Sequence, residues 1–168
     1  MRKTILHVVL TAVVALALLL SCDVGTNPDS EELGGEQGIS FAIGTEQYVF
    51  TDNLAAGYTP EDDETCVVAS DEVGASAENA IHIYFPGNTA GTFTDPPDAT
   101  TEVPRIGVLL DTLYYYTWED GKGCWFSIEV TTYGPVGGRI EGTFSGDLID
   151  GDEIKAVRNG VFSIMRYN

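Results

Sequence analysis

Arg139-Ile140-Glu141-Gly142-Thr143-Phe144-Ser145-Gly146-Asp147-Leu148 has the clear residue pattern of a β-strand. Apolar or small residues alternate with polar residues along it, so the apolar side chains fall on one face of an extended chain. This alternation predicts a strand with one side in a core and the other in water. Asp150-Gly151-Asp152 follows and is typical of a tight turn. We therefore predict a long hairpin in which Arg139–Ile149 pairs with Ile154–Tyr167.

Asn159-Gly160 interrupts the second arm of this hairpin. The dipeptide favours either a second tight turn or a β-bulge. We predict a bulge, because arms of matching length can then pair along their whole length.

The rest of the chain carries further strand signals. We predict single strands in five segments: Ile39–Ile43, Gln47–Phe50, Thr65–Ser70, Ala80–Phe85 and Gly91–Thr94. We also predict a first long hairpin, in which Ile106–Trp118 pairs with Cys124–Tyr133. Asp52–Glu64 is a predicted loop. The proline-rich Asp95–Pro104 is predicted to be either a loop or an edge that cannot pair. No long stretch beyond residue 21 has the apolar spacing of a helix. The predicted fold is an all-β antiparallel β-sandwich of about eight to nine strands.

The N-terminus carries a targeting pattern. Arg2 and Lys3 precede an apolar run, which ends at Leu19-Leu20-Ser21-Cys22. The run is short for a spanning helix and has the form of a signal peptide. Together with the final cysteine it resembles the lipobox of bacterial lipoproteins. The resemblance implies that residues 1–21 are removed, that Cys22 becomes acylated, for example with palmitate, and that the lipid holds the protein in the bacterial cell envelope.

Residues 22–38 have almost no apolar content, which predicts a flexible tether between Cys22 and a β domain at residues 39–168. Asp23 resembles an inner-membrane retention signal of some bacteria, and the choice between inner and outer membrane stays open. Two motifs near the other end, Gly142-Thr143-Phe144-Ser145-Gly146 and Asn159-Gly160-Val161-Phe162-Ser163, resemble the C-terminal part of small β-sandwich envelope lipoproteins of unknown function. This second resemblance implies a fold and no activity.

The charge of the chain restricts its partners. The formal net charge is −18 and becomes −20 once Arg2 and Lys3 are removed. The remaining cationic residues are scattered, so we predict no binding to nucleic acid. Anionic headgroups should be repelled, which leaves membrane attachment to the lipid. Glu61–Glu64 and Asp147–Glu153 could supply oxygen ligands to calcium, but the EF-hand spacing is absent and turn chemistry explains these residues. We predict no metal and no cofactor.

Two cysteines remain if Cys22 is acylated. Cys66 and Cys124 are both expected to point inward, and in an oxidising compartment we predict a disulfide between them, with two buried thiols as the alternative. His82 is the one histidine after residue 21, and we expect it to be a strand residue facing solvent. No nucleophile-elbow sequence and no zinc-ligand spacing accompanies it. We therefore predict that the protein is not an enzyme.

Three aromatic residues of the first predicted hairpin, Tyr115, Trp125 and Tyr133, are expected on its outward faces. Such a row could stack on sugar rings. A covering sheet or loop is the alternative explanation. The sequence thus predicts a lipid-anchored envelope protein that acts as a non-catalytic binding or interaction module. A glycan-binding module is the alternative function, and a hydrolase is the third.

Overall fold

The computed structural model describes residues 37–95, 104–111, 113–119, 122–150 and 153–168. The predicted signal peptide, the lipobox and nearly all of the predicted tether lie outside these ranges, so those predictions stay predictions. The described residues include no α-helix, and none of their segments is a helix that could cross a membrane. The prediction of an all-β antiparallel fold is confirmed.

Thirteen strands lie in the described ranges: β1 Gly38–Ile43, β2 Glu46–Phe50, β3 Ala55–Thr59, β4 Glu64–Ser70, β5 Ala80–Pro86, β6 Gly91–Asp95, β7 Arg105–Leu110, β8 Leu113–Tyr116, β9 Trp118–Glu119, β10 Lys122–Gly123, β11 Phe126–Tyr133, β12 Arg139–Asp150 and β13 Glu153–Met165. A short 3-10 helix, Gly74–Ser76, precedes β5. The prediction that Asp52–Glu64 is a loop was wrong, because β3 lies inside it and pairs with β4. The small and polar residues of β3 have a weak strand signal in the sequence, because this strand forms by pairing with β4.

One sheet contains eleven of these strands. Its main order is β2-β1-β13-β12-β8-β7-β5-β4-β3, and β11 pairs with both β12 and β6, while β9 and β10 form a separate ribbon. The sheet curls into a half-barrel. Its far edge returns to the end of the chain, where the Tyr167 amide donates a hydrogen bond of 2.9 Å to the Ala56 carbonyl.

The concave face of the curled sheet holds the hydrophobic core. Phe85 of β5 stacks on Phe93 of β6 with ring centroids 5.4 Å apart, and the Thr65 and Tyr133 hydroxyls are hydrogen-bonded at 2.8 Å. These contacts join strands that are not neighbours in the sheet, so the two halves of the sheet face each other across the core as in a sandwich. Burial of the apolar side chains of this core is the main stabilising contribution.

The second predicted hairpin is confirmed. β12 pairs with β13 from Arg139–Met165 to Asp150–Glu153. The predicted bulge is present as well, since Phe144 faces Gly160 and Gly146 faces Val157, which leaves one extra residue on β13. Asn159 has a φ of 54°, a conformation that asparagine tolerates better than most residues. A Cβ on Gly160 would lie 2.6 Å from the Phe144 ring, so the glycine allows that ring to pack against the strand.

The first predicted hairpin was wrong in its long arms, although Trp118 and Glu119 do pair with Gly123 and Lys122 at the predicted turn. Ile106–Trp118 is not one arm, because the chain reverses at Asp111, whose φ is 49°, and β7 pairs with β8. β11 pairs with β12 and β6 instead. A two-residue connection between Leu110 and Leu113 contains no glycine or proline, which removed the usual turn signal from the sequence.

Candidate binding surfaces

The predicted row of outward aromatic residues is not formed. Tyr115 is 5% exposed and belongs to the core, whereas Trp125 is 42% exposed. Tyr133 is half-buried, and its ring meets Phe85 edge-on with centroids 6.3 Å apart. Trp125 therefore has the exposure expected of a stacking residue, but the other two predicted residues are turned toward the core.

Two irregularities explain these wrong orientations. The two-residue turn after Leu110 makes Leu110 face Leu113, so Tyr115 shares the inward face with Val108. In β11 the register shifts between Val130 and Thr132, which turns Tyr133 inward. Each irregularity reverses the alternation of side chains that the sequence pattern assumes.

The predicted disulfide is absent, since neither Cys66 nor Cys124 is in a disulfide. Cys66 pairs across the sheet with Tyr84 and Gly57 on the outward face, next to the inward-facing Val67. Cys124 is buried, and burial raises the pKa of its thiol, with a further contribution from the charge of Asp147. The expectation that Cys66 points inward was wrong. The neighbouring residues Val67-Val68-Ala69 are apolar on both faces of β4, so the alternation of apolar residues does not define which face of the strand lies in the core.

An open cleft lies at one end of the half-barrel. It has a volume of about 550 Å³. It is lined by the β1–β2 turn, the β7–β8 turn and the start of β13: Ile43, Gly44, Thr45, Glu46, Tyr48, Leu110, Asp111, Leu113, Tyr115, Ile154, Lys155 and Ala156. We call it the mouth cleft. Cross-strand pairing shows that Tyr48 shares the inward face with Phe41, and Lys155 shares it with the fully buried Leu148. The mouth cleft is therefore the accessible end of the concave face.

The polar groups of the mouth cleft are held in place by hydrogen bonds. The Tyr48 hydroxyl donates to Glu46 Oε2 at 2.6 Å, and this bond, followed by burial and the charge of Glu46, raises the pKa of Tyr48 to about 12. Lys155 Nζ donates to the Tyr115 hydroxyl at 2.9 Å and lies 4.4 Å from the centre of that ring. Tyr48 therefore stays neutral at physiological pH, and both hydroxyls are polar atoms fixed by hydrogen bonds beside apolar walls.

Gly44 permits the tight β1–β2 turn that forms one wall of the mouth cleft. Ile43 pairs with Glu46, so the turn has two central residues, and Gly44 has a φ of 61°. A positive φ at the first central position is the geometry that favours glycine in a two-residue hairpin.

A second surface lies on the convex side of the sheet. It consists of Tyr84, Tyr114 and Tyr116 with Arg105 and His82, and we call it the outer tyrosine surface. Pairing of His82 with Gly107, and of Gly107 with Tyr116, places these residues on one face of three strands. The Tyr114 and Tyr116 ring centroids are 5.7 Å apart.

His82 is buried within this surface, which corrects the expectation that it faces solvent. Its side chain is 6% exposed, and Nδ1 lies 3.2 Å from the Tyr84 hydroxyl. Burial lowers the pKa of His82 to about 4 and raises the pKa of Tyr84. The alternation of β5 placed His82 on the convex face, but the sequence did not reveal that tyrosine side chains cover that face.

Arg105 and Glu64 form a fixed ion pair at the edge of the outer tyrosine surface. Arg105 Nη1 and Nη2 donate to Glu64 Oε2 and Oε1 at 3.0 and 3.2 Å, and the guanidinium carbon lies 4.1 Å from the Tyr84 ring centre. The pair neutralises itself and stacks on an aromatic face, an arrangement that arginine favours.

The acidic run Glu61–Glu64 is engaged in protein contacts at two positions. Asp63 accepts a hydrogen bond of 2.8 Å from the Tyr58 hydroxyl, and Glu64 binds Arg105. Among the described residues, no group of three or more histidine, cysteine or acidic side chains is arranged to hold a metal ion.

No family model, curated protein sequence or solved structure matches this chain. The resemblance to bacterial lipoproteins therefore stays a prediction. Sequence patterns singled out Tyr115 of the mouth cleft but missed Tyr48, Glu46 and Lys155, which meet only through the curl of the sheet. The run Tyr114-Tyr115-Tyr116 was a usable signal, because neighbouring strand residues must point to opposite faces.

Proposed function

We propose that this protein is a lipid-anchored bacterial envelope protein that binds a small ligand in the mouth cleft without transforming it. The observation that carries the proposal is the cleft of about 550 Å³ at the open end of the half-barrel. Its volume is within the usual range for small-molecule sites, and its lining combines apolar walls with a few fixed polar groups.

The chemistry of the lining indicates the kind of ligand. Leu110 and Leu113 supply apolar surface, while Glu46 and Lys155 offer opposite charges, each hydrogen-bonded to a tyrosine hydroxyl. A largely apolar molecule of low net charge with one or two polar groups suits this combination. His82 does not reach a ligand in the mouth cleft, because it is buried on the other face of the sheet.

The anchor part of the proposal rests on the lipobox at Leu19–Cys22 and on the net charge of −18. An acidic domain is repelled by anionic lipid surfaces, so a covalent lipid explains how it would stay at a membrane.

The ligand site can be tested with N-phenylnaphthylamine, an uncharged apolar dye that becomes fluorescent in apolar sites. Leu113 is 53% exposed at the rim of the mouth cleft, so Leu113→Trp should fill the entrance without disturbing the core. We expect this variant to bind the dye at least about five-fold more weakly, which corresponds to about 1 kcal/mol. Val161→Trp is the matched control, since Val161 is also about half exposed but lies on β13 outside the cleft lining.

The dye experiment contradicts the proposal if the parent protein does not increase the fluorescence of the dye. It also contradicts the proposal if Leu113→Trp and Val161→Trp reduce binding equally.

A further inference from the structure

We propose that the outer tyrosine surface is a second binding site, and that it takes a neutral glycan chain by stacking sugar rings on Tyr114 and Tyr116. This site goes beyond the mouth cleft, because it lies on the opposite, convex face of the sheet.

Tyr114 reaches across the neighbouring strand and stays partly exposed to solvent. A Cβ built on Gly107 would lie 2.2 Å from the Tyr114 hydroxyl oxygen and 2.9 Å from the ring carbon that carries it. The side chain of β8 therefore extends sideways over the neighbouring strand β7, in the space that the missing side chain leaves. It remains 43% exposed, although one side of the ring is against the sheet. An exposed aromatic plane of this kind can pack against the apolar C–H face of a sugar.

Tyr116 extends the platform along β8. Its ring centroid is 5.7 Å from that of Tyr114, and the two planes are inclined by 32°. Two neighbouring rings, both partly exposed, suit neighbouring units of one chain better than a single compact ligand.

The ion pair beside the rings supplies the polar contacts that a sugar needs. Arg105 and Glu64 are fixed by two hydrogen bonds and are partly exposed, at 30% and 14% of their side chains. Sugar hydroxyls both donate and accept hydrogen bonds, so they complement a paired carboxylate and guanidinium. Rigid polar groups next to aromatic planes reduce the entropy cost of binding.

Charge selects a neutral ligand over an anionic one. The chain carries a net charge of −18, and the cation of this surface, Arg105, is already neutralised by Glu64. Nucleic acids and acidic polysaccharides would meet repulsion without a compensating basic patch. A neutral polyhydroxylated chain is not repelled by the net negative charge. Its hydroxyls can replace the water molecules that hydrate the ion pair.

The test is an array of neutral oligosaccharides, namely β-glucans, chitin, xylan and mannan fragments, probed with the full-length protein. We expect binding to at least one of them, a loss of about five-fold or more in Tyr114→Ala, and nearly unchanged affinity in Tyr114→Phe, which keeps the ring. Gly107→Ala should also weaken binding several-fold, because the added Cβ displaces the Tyr114 ring.

Trp125→Ala is the matched control, since Trp125 is an equally exposed aromatic residue next to β11. Its binding should equal that of the parent protein. The proposal is overturned if the parent protein binds none of these oligosaccharides. The proposal is also overturned if Tyr114→Ala binds as tightly as the parent protein, or if Trp125→Ala loses binding. Circular dichroism of each variant separates a lost site from a lost fold.

Discussion

Replacing His82 with glutamine should make the domain less sensitive to acid. His82 is 6% exposed, and burial holds its pKa at about 4 instead of the usual 6.5. Glutamine is uncharged at every pH, keeps a hydrogen-bonding group near Tyr84 and removes the titration. It should lower the overall stability, because the packing around the imidazole is lost, but its stability should vary less between neutral and acidic pH.

The magnitude follows from the two pKa values. The unfolded chain takes up a proton near pH 6.5, whereas the folded chain resists protonation until about pH 4. The contribution of neutral, buried His82 is therefore complete above pH 6.5, is lost as the pH falls through this window, and levels off below pH 4. Linkage gives a loss of about 2 kcal/mol between pH 8 and pH 5, and a limit of about 3 kcal/mol.

The assay is urea unfolding followed by tryptophan fluorescence at pH 8 and pH 5, on chains that begin at residue 22 and therefore lack His7. Carboxylates titrate in both proteins, so the useful quantity is the acid-induced loss in the parent minus the loss in His82→Gln. We expect a difference of about 2 kcal/mol. Equal losses in the two proteins would refute the burial of a neutral imidazole.

Three further predictions concern the anchor, the thiols and the core. Cys22→Ala should abolish incorporation of labelled palmitate and release the protein from membranes, whereas Cys66→Ala should not; label retained in Cys22→Ala would exclude this anchor. Thiol titration of the denatured, non-lipidated Cys22→Ala chain without reductant should find Cys66 and Cys124 both reactive, and absence of reaction would indicate a disulfide. Tyr133→Phe removes the hydrogen bond to Thr65 and should lower the free energy of unfolding by about 1 kcal/mol, while Tyr167→Phe, at an exposed position, should leave it unchanged.

The fold class and the longest hairpin were predictable because their signals are local. The alternation along β12 places Ile140, Phe144 and Leu148 inward as predicted, and all three are buried. The bulge could be predicted from Asn159-Gly160, because this dipeptide tolerates a positive φ. The two arms of the hairpin pair along their whole length only if Asn159-Gly160 is a bulge and not a second turn.

The positions of the site residues were not predictable in the same way. A two-residue turn at Asp111, which contains no glycine or proline, reversed the face of Tyr115, and a bulge in β11 did the same for Tyr133. The mouth cleft joins Tyr48 and Lys155 from opposite ends of the domain sequence, which depends on the pairing of β1 with β13. Long-range strand pairing of this kind has no local sequence signal. The burial of His82 and the separation of Cys66 from Cys124 depend on such pairing, so the sequence did not predict them.

Ligand binding at the concave end of the half-barrel can be tested by mapping amide chemical shifts as N-phenylnaphthylamine is added. We predict that the largest changes lie at the walls of the mouth cleft, at Gly44, Thr45, Leu110 and Lys155, while amides of Tyr84 and Arg105 on the convex face stay unchanged. Changes concentrated on the convex face, or spread evenly over the domain, would contradict it.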